Sequence, residues 1–245
     1  MFHKDEFMKY ATKHLGMSSM HLENYIDKTT PSPTPSQGQG PNIQGFTTAI
    51  IDERIKNVFP MDVFSRLMMD RIIFMGVPVN DYVANVIQAQ LLFLESDDPK
   101  RDVQMFINSP GGSVIAGLGI YDTMQYVAPD VNTICTGLAA SMGAVLLTAG
   151  AEGKRTCLSH SRVMIHQPLG GMQGQVSDME ISYRLIKDMQ KELYTILANH
   201  TGQEFDKIEE DCDRDNWMTA TDAKEYGLID EVLDRHSPRK TNDGA

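Results

Sequence analysis

The run at 131–148, VNTICTGLAASMGAVLLT, constrains the fold of this chain more than any other stretch. It begins with β-branched apolar residues suited to a buried strand, passes through Gly137, Ala139 and Ala140, and continues as a helix-compatible AVLL. Ser141 stands at the junction. The pattern Ala139-Ala140-Ser141-Met142-Gly143 resembles the G-x-S-x-G strand-to-helix elbow with Ala in the first Gly position, a turn that lifts a hydroxyl nucleophile into solvent. Small neighbours let such a turn approach itself and a substrate closely, and the helix that follows opens with free N–H groups that favour developing negative charge. A plainer reading of the same residues is an ordinary helix N-cap serine.

Elements alternate on both sides of this run. Upstream, Arg71 to Met75 (RIIFM) reads as a strand, and Asp81 to Leu94 as a helix with Val83, Val86, Ile87, Leu91 and Leu94 at helical spacing. Val103 to Ile107 reads as a second strand running into NSPGGS at 108–113. A helix then carries Ile115, Leu118, Tyr121, Met124 and Val127 as far as Pro129. Downstream, Arg162 to His166 reads as a strand ended by Gln167-Pro168, followed by the glycine-spaced LGGMQGQ. Ser177-Asp178-Met179-Glu180 has the form of a capping box opening a long helix to about Asn199, with Ile181, Leu185, Met189, Leu193 and Ile196 on one stripe. Shorter helices are expected near 203–211 and 221–226, separated by an acidic loop CDRDNW, and Leu228 to Leu233 as the last strand. Short connections between alternating strands and helices imply an α/β fold on a largely parallel sheet.

Outside this region the chain is of another kind. Residues 1–45 include the Pro, Ser, Gly and Gln tract TTPSPTPSQGQGPNIQG, which cannot bury enough apolar surface to order itself and reads as a leader or linker, removed or disordered. Residues 46–60 are apolar enough to dock on something without following a firm pattern, and 236–245 read as a disordered tail. The net charge of −11 opposes binding to nucleic acid or to an anionic membrane surface. No apolar run spans a bilayer, and the N-terminus carries Asp5 and Glu6 where a signal peptide would need an apolar stretch. Cys135, Cys157 and Cys212 fit neither a disulfide framework nor metal-site spacing, so a reducing cytoplasm is expected, with no metal and no cofactor.

A serine nucleophile needs a base and a group to orient that base. Of the seven histidines, His3, His14 and His21 precede the linker tract, and His236 lies in the tail. His160 sits in a loop, and His200 at a helix C-terminus, where a cation meeting the last carbonyls is the simplest role. His166 ends an apolar strand at the edge where open α/β sheets place their sites, and is the best base. Asp211, Asp213 and Asp215 are equally eligible as the acid from spacing alone. Backbone N–H groups of Gly112 and Met142 are the candidate oxyanion donors, because Gly-Gly after a strand admits a substrate carbonyl with no Cβ in the way. A phosphate loop is the rival for the glycines, but no G-x-x-x-x-G-K-[ST] pattern occurs.

Several stretches together resemble one known family. DVFSRL near 62, INSPGGSVIAGLGIYDTMQ from 107, ICTGLAASMGAVLLTAGAEGKR from 134, RVMIHQPLGGMQGQVSDMEI from 162 and the DRD-to-EYGLID region from 213 are similar to ClpP, the proteolytic-subunit family of the ATP-dependent Clp protease. The resemblance covers 61–235 and implies a ClpP/crotonase-like spiral of β-β-α units with a protruding handle, here a strand plus the long helix. It implies a Ser141-His166-Asp215 triad, an oxyanion hole from Gly112 and Met142, and peptide substrate pairing as an added strand between Gly111-Gly112 and Leu169, Gly170 and Gly171. It further implies two stacked heptameric rings, an AAA+ unfoldase docking at Leu92, Phe106, Tyr126 and Leu233, and unfolded polypeptide as substrate. Residues 46–60 take the place of the family's gate segment without matching it.

Two other functions fit parts of the pattern. A crotonase-like acyl-CoA enzyme shares the spiral topology and glycine donors but has no need of all three triad residues. A catalytically silent ring subunit would need none of them. The composition of 1–45 makes the leader dispensable: a chain beginning near Ile43 is expected to fold and assemble, and mass spectrometry of the purified protein to locate its mature start. Failure of that shortened chain to assemble would give the leader a structural role.

Overall fold

The computed structural model describes residues 50–51, 60–171 and 173–234. Expectations for the leader, for most of the 46–60 segment and for the tail lie outside the described residues. In chain order the elements are β1 (Ile50–Ile51), β2 (Pro60–Met61), α1 (Val63–Met69), β3 (Ile72–Met75), α2 (Asp81–Asp97), β4 (Val103–Ser109), α3 (Val114–Tyr126) and β5 (Val131–Ala140). Then follow α4 (Met142–Thr148), β6 (Arg155–Leu158), β7 (Arg162–Ile165), α5 (Val176–Thr201), α6 (Phe205–Asp211), β8 (Asn216–Thr219), α7 (Ala220–Tyr226) and β9 (Glu231–Leu233). β1 and β2 pair with each other.

Strands β3-β4-β5-β6-β9 hydrogen-bond in that order and are all parallel, as short strand–helix–strand connections require. β5 is the branch point. Its first half pairs with β6 at 133–135 and its second half with β7 at 138–140. Gly137, at φ 111°, lies between the two halves. The buried Ser161 hydroxyl fills the fork, donating to the Cys135 carbonyl at 2.9 Å and accepting from the Gly137 amide at 3.0 Å. On the other side, Asn108 Oδ1 accepts from the Leu138 amide at 3.2 Å, where the β4–β5 register shifts. β8 then adds antiparallel to β7.

The helices cover the sheet with apolar stripes. α2 starts at Asn80, whose side chain accepts from the Val83 amide, and it buries Ala84, Ile87, Leu91 and Leu94. α3 keeps most of its sequence pattern: Met124 and Val127 are buried and Leu118 and Tyr121 half-buried against the core, while Ile115 is exposed and Ala116 and Ile120 are buried beside them. Positions three apart fall about 60° short of a full turn each time, so the row 115, 118, 121, 124, 127 winds around the helix from exposed Ile115 to buried Met124 and Val127. All seven residues of α4 are buried. α5 divides in two: Leu193, Tyr194, Ile196 and Leu197 are buried, while Val176, Ile181, Tyr183 and Leu185 toward its start are exposed. The expected stripe is therefore core at one end only.

Three local expectations are corrected. The Ser177 capping box does not form, because the helix already begins at Val176 with Gln175 as its uncapped N-cap, which places Ser177 inside the first turn. The box that forms is Thr219 with Asp222, opening α7. The acidic loop is also shorter than expected, since Asn216 and Trp217 belong to β8, while the last strand begins only at Glu231. β6 and α1 are elements the hydrophobic pattern does not announce.

One buried ion pair closes the far side of the sheet. Arg155 on β6 binds Asp230 through Nη2 at 2.6 Å and Nε at 3.0 Å, and its Nη1 donates to the His200 carbonyl at 2.7 Å. The Arg155 amide also donates to Asp230 at 2.9 Å. Burial pushes the Asp230 carboxyl up, but these hydrogen bonds and the guanidinium charge outweigh it and hold the carboxyl below its usual range. A depressed folded-state pKa gives stability that is present above the unfolded value, about 3.9, and is lost as pH falls through the folded value. Asp230→Asn, which strands the buried guanidinium, is expected to cost about 3 kcal/mol near neutral pH. Thermal denaturation at fixed subunit concentration reads this as a lowered midpoint, with the gap to wild type narrowing below about pH 4.

Candidate active site

Two strand registers assemble the site. Ala140 pairs with Met164 in the parallel β5–β7 ladder, and the next amide, that of Ser141, donates to the Met164 carbonyl at 2.8 Å. Ile165 pairs with Asn216 in the antiparallel β7–β8 ladder. Extending that ladder by one residue puts His166 opposite Asp215, and there His166 Nδ1 lies 3.0 Å from Asp215 Oδ1. All three residues thus leave the sheet at one edge.

Ser141 has φ 55° and ψ −125°, a left-handed backbone for a residue with a side chain. Its carbonyl accepts from the Ala144 and Val145 amides, so it occupies the N-cap place of α4, but its hydroxyl makes no capping bond. The N-cap serine reading fails on that point, because the side chain caps none of the helix amides. Ser141 and His166 line one cleft, walled by Val114, Val145 and Pro168 and by Leu193, Tyr194 and Leu197 from α5. No hydrogen bond joins Ser141 to His166 among the described residues. Nucleophile–base contacts commonly close only once substrate is bound.

The Gly111-Gly112 turn packs against this elbow. A Cβ on Gly111 would come within 2.6 Å of the Ala140 carbonyl oxygen and 2.7 Å of Ser141 Cβ, and one on Gly112 would overlap the Val79 backbone. Gly112 forms a parallel bridge with Val79, using the Gly111 carbonyl and the Ser113 amide, each at 2.9 Å. In such a bridge the central residue's own N–H and C=O point to the opposite side, which leaves those of Gly112 available to another strand. The buried Ser109 hydroxyl supports the turn from below, accepting from the Gly111 amide and donating to the Val77 carbonyl.

Other candidates separate cleanly by contact. Asp211 is engaged by Lys207 at 2.8 Å and by the Tyr226 hydroxyl at 2.7 Å. Asp213 accepts from Gln167 through its carbonyl, and only Asp215 reaches His166. His166 has 12% of its side chain exposed, Asp215 60%. His200 is not the helix-end cation expected of it. Burial first, and the Arg155 charge second, lower its pKa, and Nε2 meets the Tyr121 hydroxyl at 3.2 Å. Cys212, beside the acid loop, is buried with its thiol pushed up to about 12 by burial and by Asp211, so it supplies no thiolate.

Leu169 is exposed, and Gly170 lies against Ile186 of α5, so close that a Cβ there would need the Ile186 methyl to move. Leu92 and Tyr126 are exposed on α2 and α3, while Phe106 and Leu233 are half-buried. The structure adds two partners that the sequence reading missed: Phe74, stacked on Phe106 with centroids 6.4 Å apart, and Leu158, paired with Leu233. Alternation in RIIFM, with Ile73 and Met75 inward and Phe74 outward, carried the signal for the first.

Among the described residues no helix is long and apolar enough to cross a membrane. Residues 56–236 match the Clp protease family model. The chain is 61% identical over 229 residues to the ATP-dependent Clp protease proteolytic subunit of Bacteroides thetaiotaomicron, covering 94% of this chain and 98% of that protein. It is 57% identical over 234 residues to the protein of the same name from Porphyromonas gingivalis, covering 95% of this chain and 99% of that one. With its α/β sheet, its serine elbow and a match spanning most of its length, the chain belongs to the Clp protease family.

Proposed function

We propose that this chain is the serine endopeptidase subunit of an ATP-dependent protease, hydrolysing unfolded polypeptide fed to it by a separate AAA+ unfoldase. The observation that carries the reading is the His166–Asp215 hydrogen bond at the same sheet edge as the strained Ser141 elbow. In this mechanism Ser141 Oγ attacks the scissile carbonyl while His166 takes its proton and returns it to the leaving amine. Asp215 holds the imidazole in orientation and stabilises its charged form. The acyl-enzyme is released by water along the same path in reverse. The Gly112 and Met142 amides receive the oxyanion.

Substrate adds as a strand to the free side of Gly111-Gly112, opposite the 169–171 segment, and main-chain pairing of this kind tolerates many sequences. The apolar walls of the cleft favour an apolar side chain next to the scissile bond. The crotonase-like and catalytically silent readings draw no support from the family match. The acyl-CoA reading also leaves the His166–Asp215 bond without a task.

A fluorophosphonate probe is expected to label Ser141, and Ser141→Ala to lose on the order of 10⁶-fold in peptide hydrolysis with the fold intact. Among Asp211→Asn, Asp213→Asn and Asp215→Asn, only the last is expected to lose orders of magnitude, because only it leaves the imidazole misoriented. Labelling at another residue, or equal losses from the three, would overturn the assignment.

Two stacked heptameric rings enclosing the Ser141 sites, in the cytoplasm, complete the proposal. Its support is the exposed apolar start of α5, which a lone subunit leaves in water, beside the glycine-spaced 170–174 piece. The unfoldase docks at Leu92, Phe106, Tyr126 and Leu233, with Phe74 and Leu158 widening that surface. Sedimentation is expected to give the mass of fourteen subunits. Short peptides are expected to be cut unaided, and folded proteins only with unfoldase and ATP. A stable active monomer, or ATP-free digestion of a folded protein, would refute this assembly.

A further inference from the structure

Asp215 is an exposed residue on a short loop, and an exposed carboxylate does not hold an imidazole in place unless its backbone is held first. The loop has two anchors. On its C-terminal side, Asn216 enters β8 and pairs with Ile165. On its N-terminal side, the Asp213 amide donates to the Glu210 carbonyl at the end of α6 at 3.2 Å, and across the edge Gln167 does the holding. The Gln167 amide donates to the Cys212 carbonyl at 2.6 Å, and its side-chain Nε2 donates to the Asp213 carbonyl at 2.7 Å, with the Asp213 carboxylate 3.4 Å away. Gln167 directly follows His166, so the base and the clamp on the acid's loop sit on consecutive residues.

We infer that Gln167 is a positioning residue, whose side-chain amide fixes the 212–215 loop so that Asp215 meets His166 in register; this rests on the triad proposed above. Asp211 and Cys212 cannot substitute for it. Asp211 is held from the other direction by Lys207 and Tyr226, and Cys212 caps α6, so both secure the helix end rather than the two residues that lead to Asp215. Arg214, almost wholly exposed, reaches only its neighbour Asp213 at 3.6 Å. With the Gln167 side chain gone, Asp213 and Arg214 lose the hydrogen bonds from Nε2 to the Asp213 carbonyl and carboxylate, which among the described residues tie them to the segment carrying His166.

The test is a double-mutant cycle read on the assembled protein with a short fluorogenic peptide. Gln167→Ala is expected to lower kcat about 10- to 100-fold, as expected when orientation rather than chemistry is removed, with KM within about twofold of wild type. In an Asp215→Asn background the same change is expected to cost almost nothing, because a residue acting through Asp215 has nothing left to position. Wild-type kcat for Gln167→Ala, or an undiminished loss in the Asp215→Asn background, overturns the inference. If Gln167→Ala fails to assemble, Gln167→Glu, which keeps size and reach but removes the donor, is read in the same way. Should neither assemble, Gln167 holds the fold rather than the acid, and the inference is wrong. Wild-type activity of Asp215→Asn alone would instead remove the triad on which it rests.

Discussion

The fork in β5 is the constraint on which the rest of the site depends. A strand of ten residues that gave both halves to one neighbour would continue the sheet past the point where a site is needed. Here the first half belongs to β6 and the second to β7, and the peptide groups freed at the division are met by Ser161 on one side and Asn108 on the other. On its buried side, where Ser161 meets the Cys135 carbonyl, losing that partner would leave a buried carbonyl unpaired at about 1–3 kcal/mol. Because β7 is displaced onto the end of β5, its own end and the start of β8 reach the same edge as Ser141.

Much of this was legible in the sequence because the relevant signals are local. The small residues around Ser141, the apolar run ending at His166 and the glycine pair after β4 each mark backbone geometry that few other residues permit. The acid was not legible from spacing. Asp211, Asp213 and Asp215 differ only in register against β7, and that register depends on recognising β8, whose Asn216-Trp217-Met218-Thr219 is too short and mixed to announce itself. The family resemblance selected Asp215 where spacing left three candidates open. Gln167 was invisible for a related reason: its partners are backbone carbonyls 45 and 46 residues downstream, and no side-chain pattern records a carbonyl.

The α3 pattern was legible only in part, with Ile115 exposed and Ala116 and Ile120 buried outside the expected row. Its apolar residues recur every third position, and a row with that spacing covers most of a helix circumference rather than one face. Gly117 lies directly against the Met142 side chain, close enough that a Cβ would overlap it, so this face of α3 is selected by close approach to α4 rather than by hydrophobicity. That contact helps hold Met142, the residue after Ser141, and it links a packing detail of α3 to the proposed oxyanion donor.

The two ends of the proposed catalytic array are held by different means. The Ser141 backbone is strained, at a cost of roughly 1–3 kcal/mol. That strain is borne by α4 behind it, where Met142, Leu146 and Leu147 are among the most deeply buried side chains, each contributing about 1.5–3 kcal/mol. Ser141, the proposed nucleophile, is therefore braced by core packing, and a small disturbance at the surface has little leverage on it. Asp215 has no core behind it and depends on a strand pairing and on the Gln167 bonds. Loss of orientation is then to be expected at the acid before the serine, because hydrogen bonds at a half-open edge oppose displacement with about 1 kcal/mol apiece, whereas moving Ser141 requires repacking a whole buried helix.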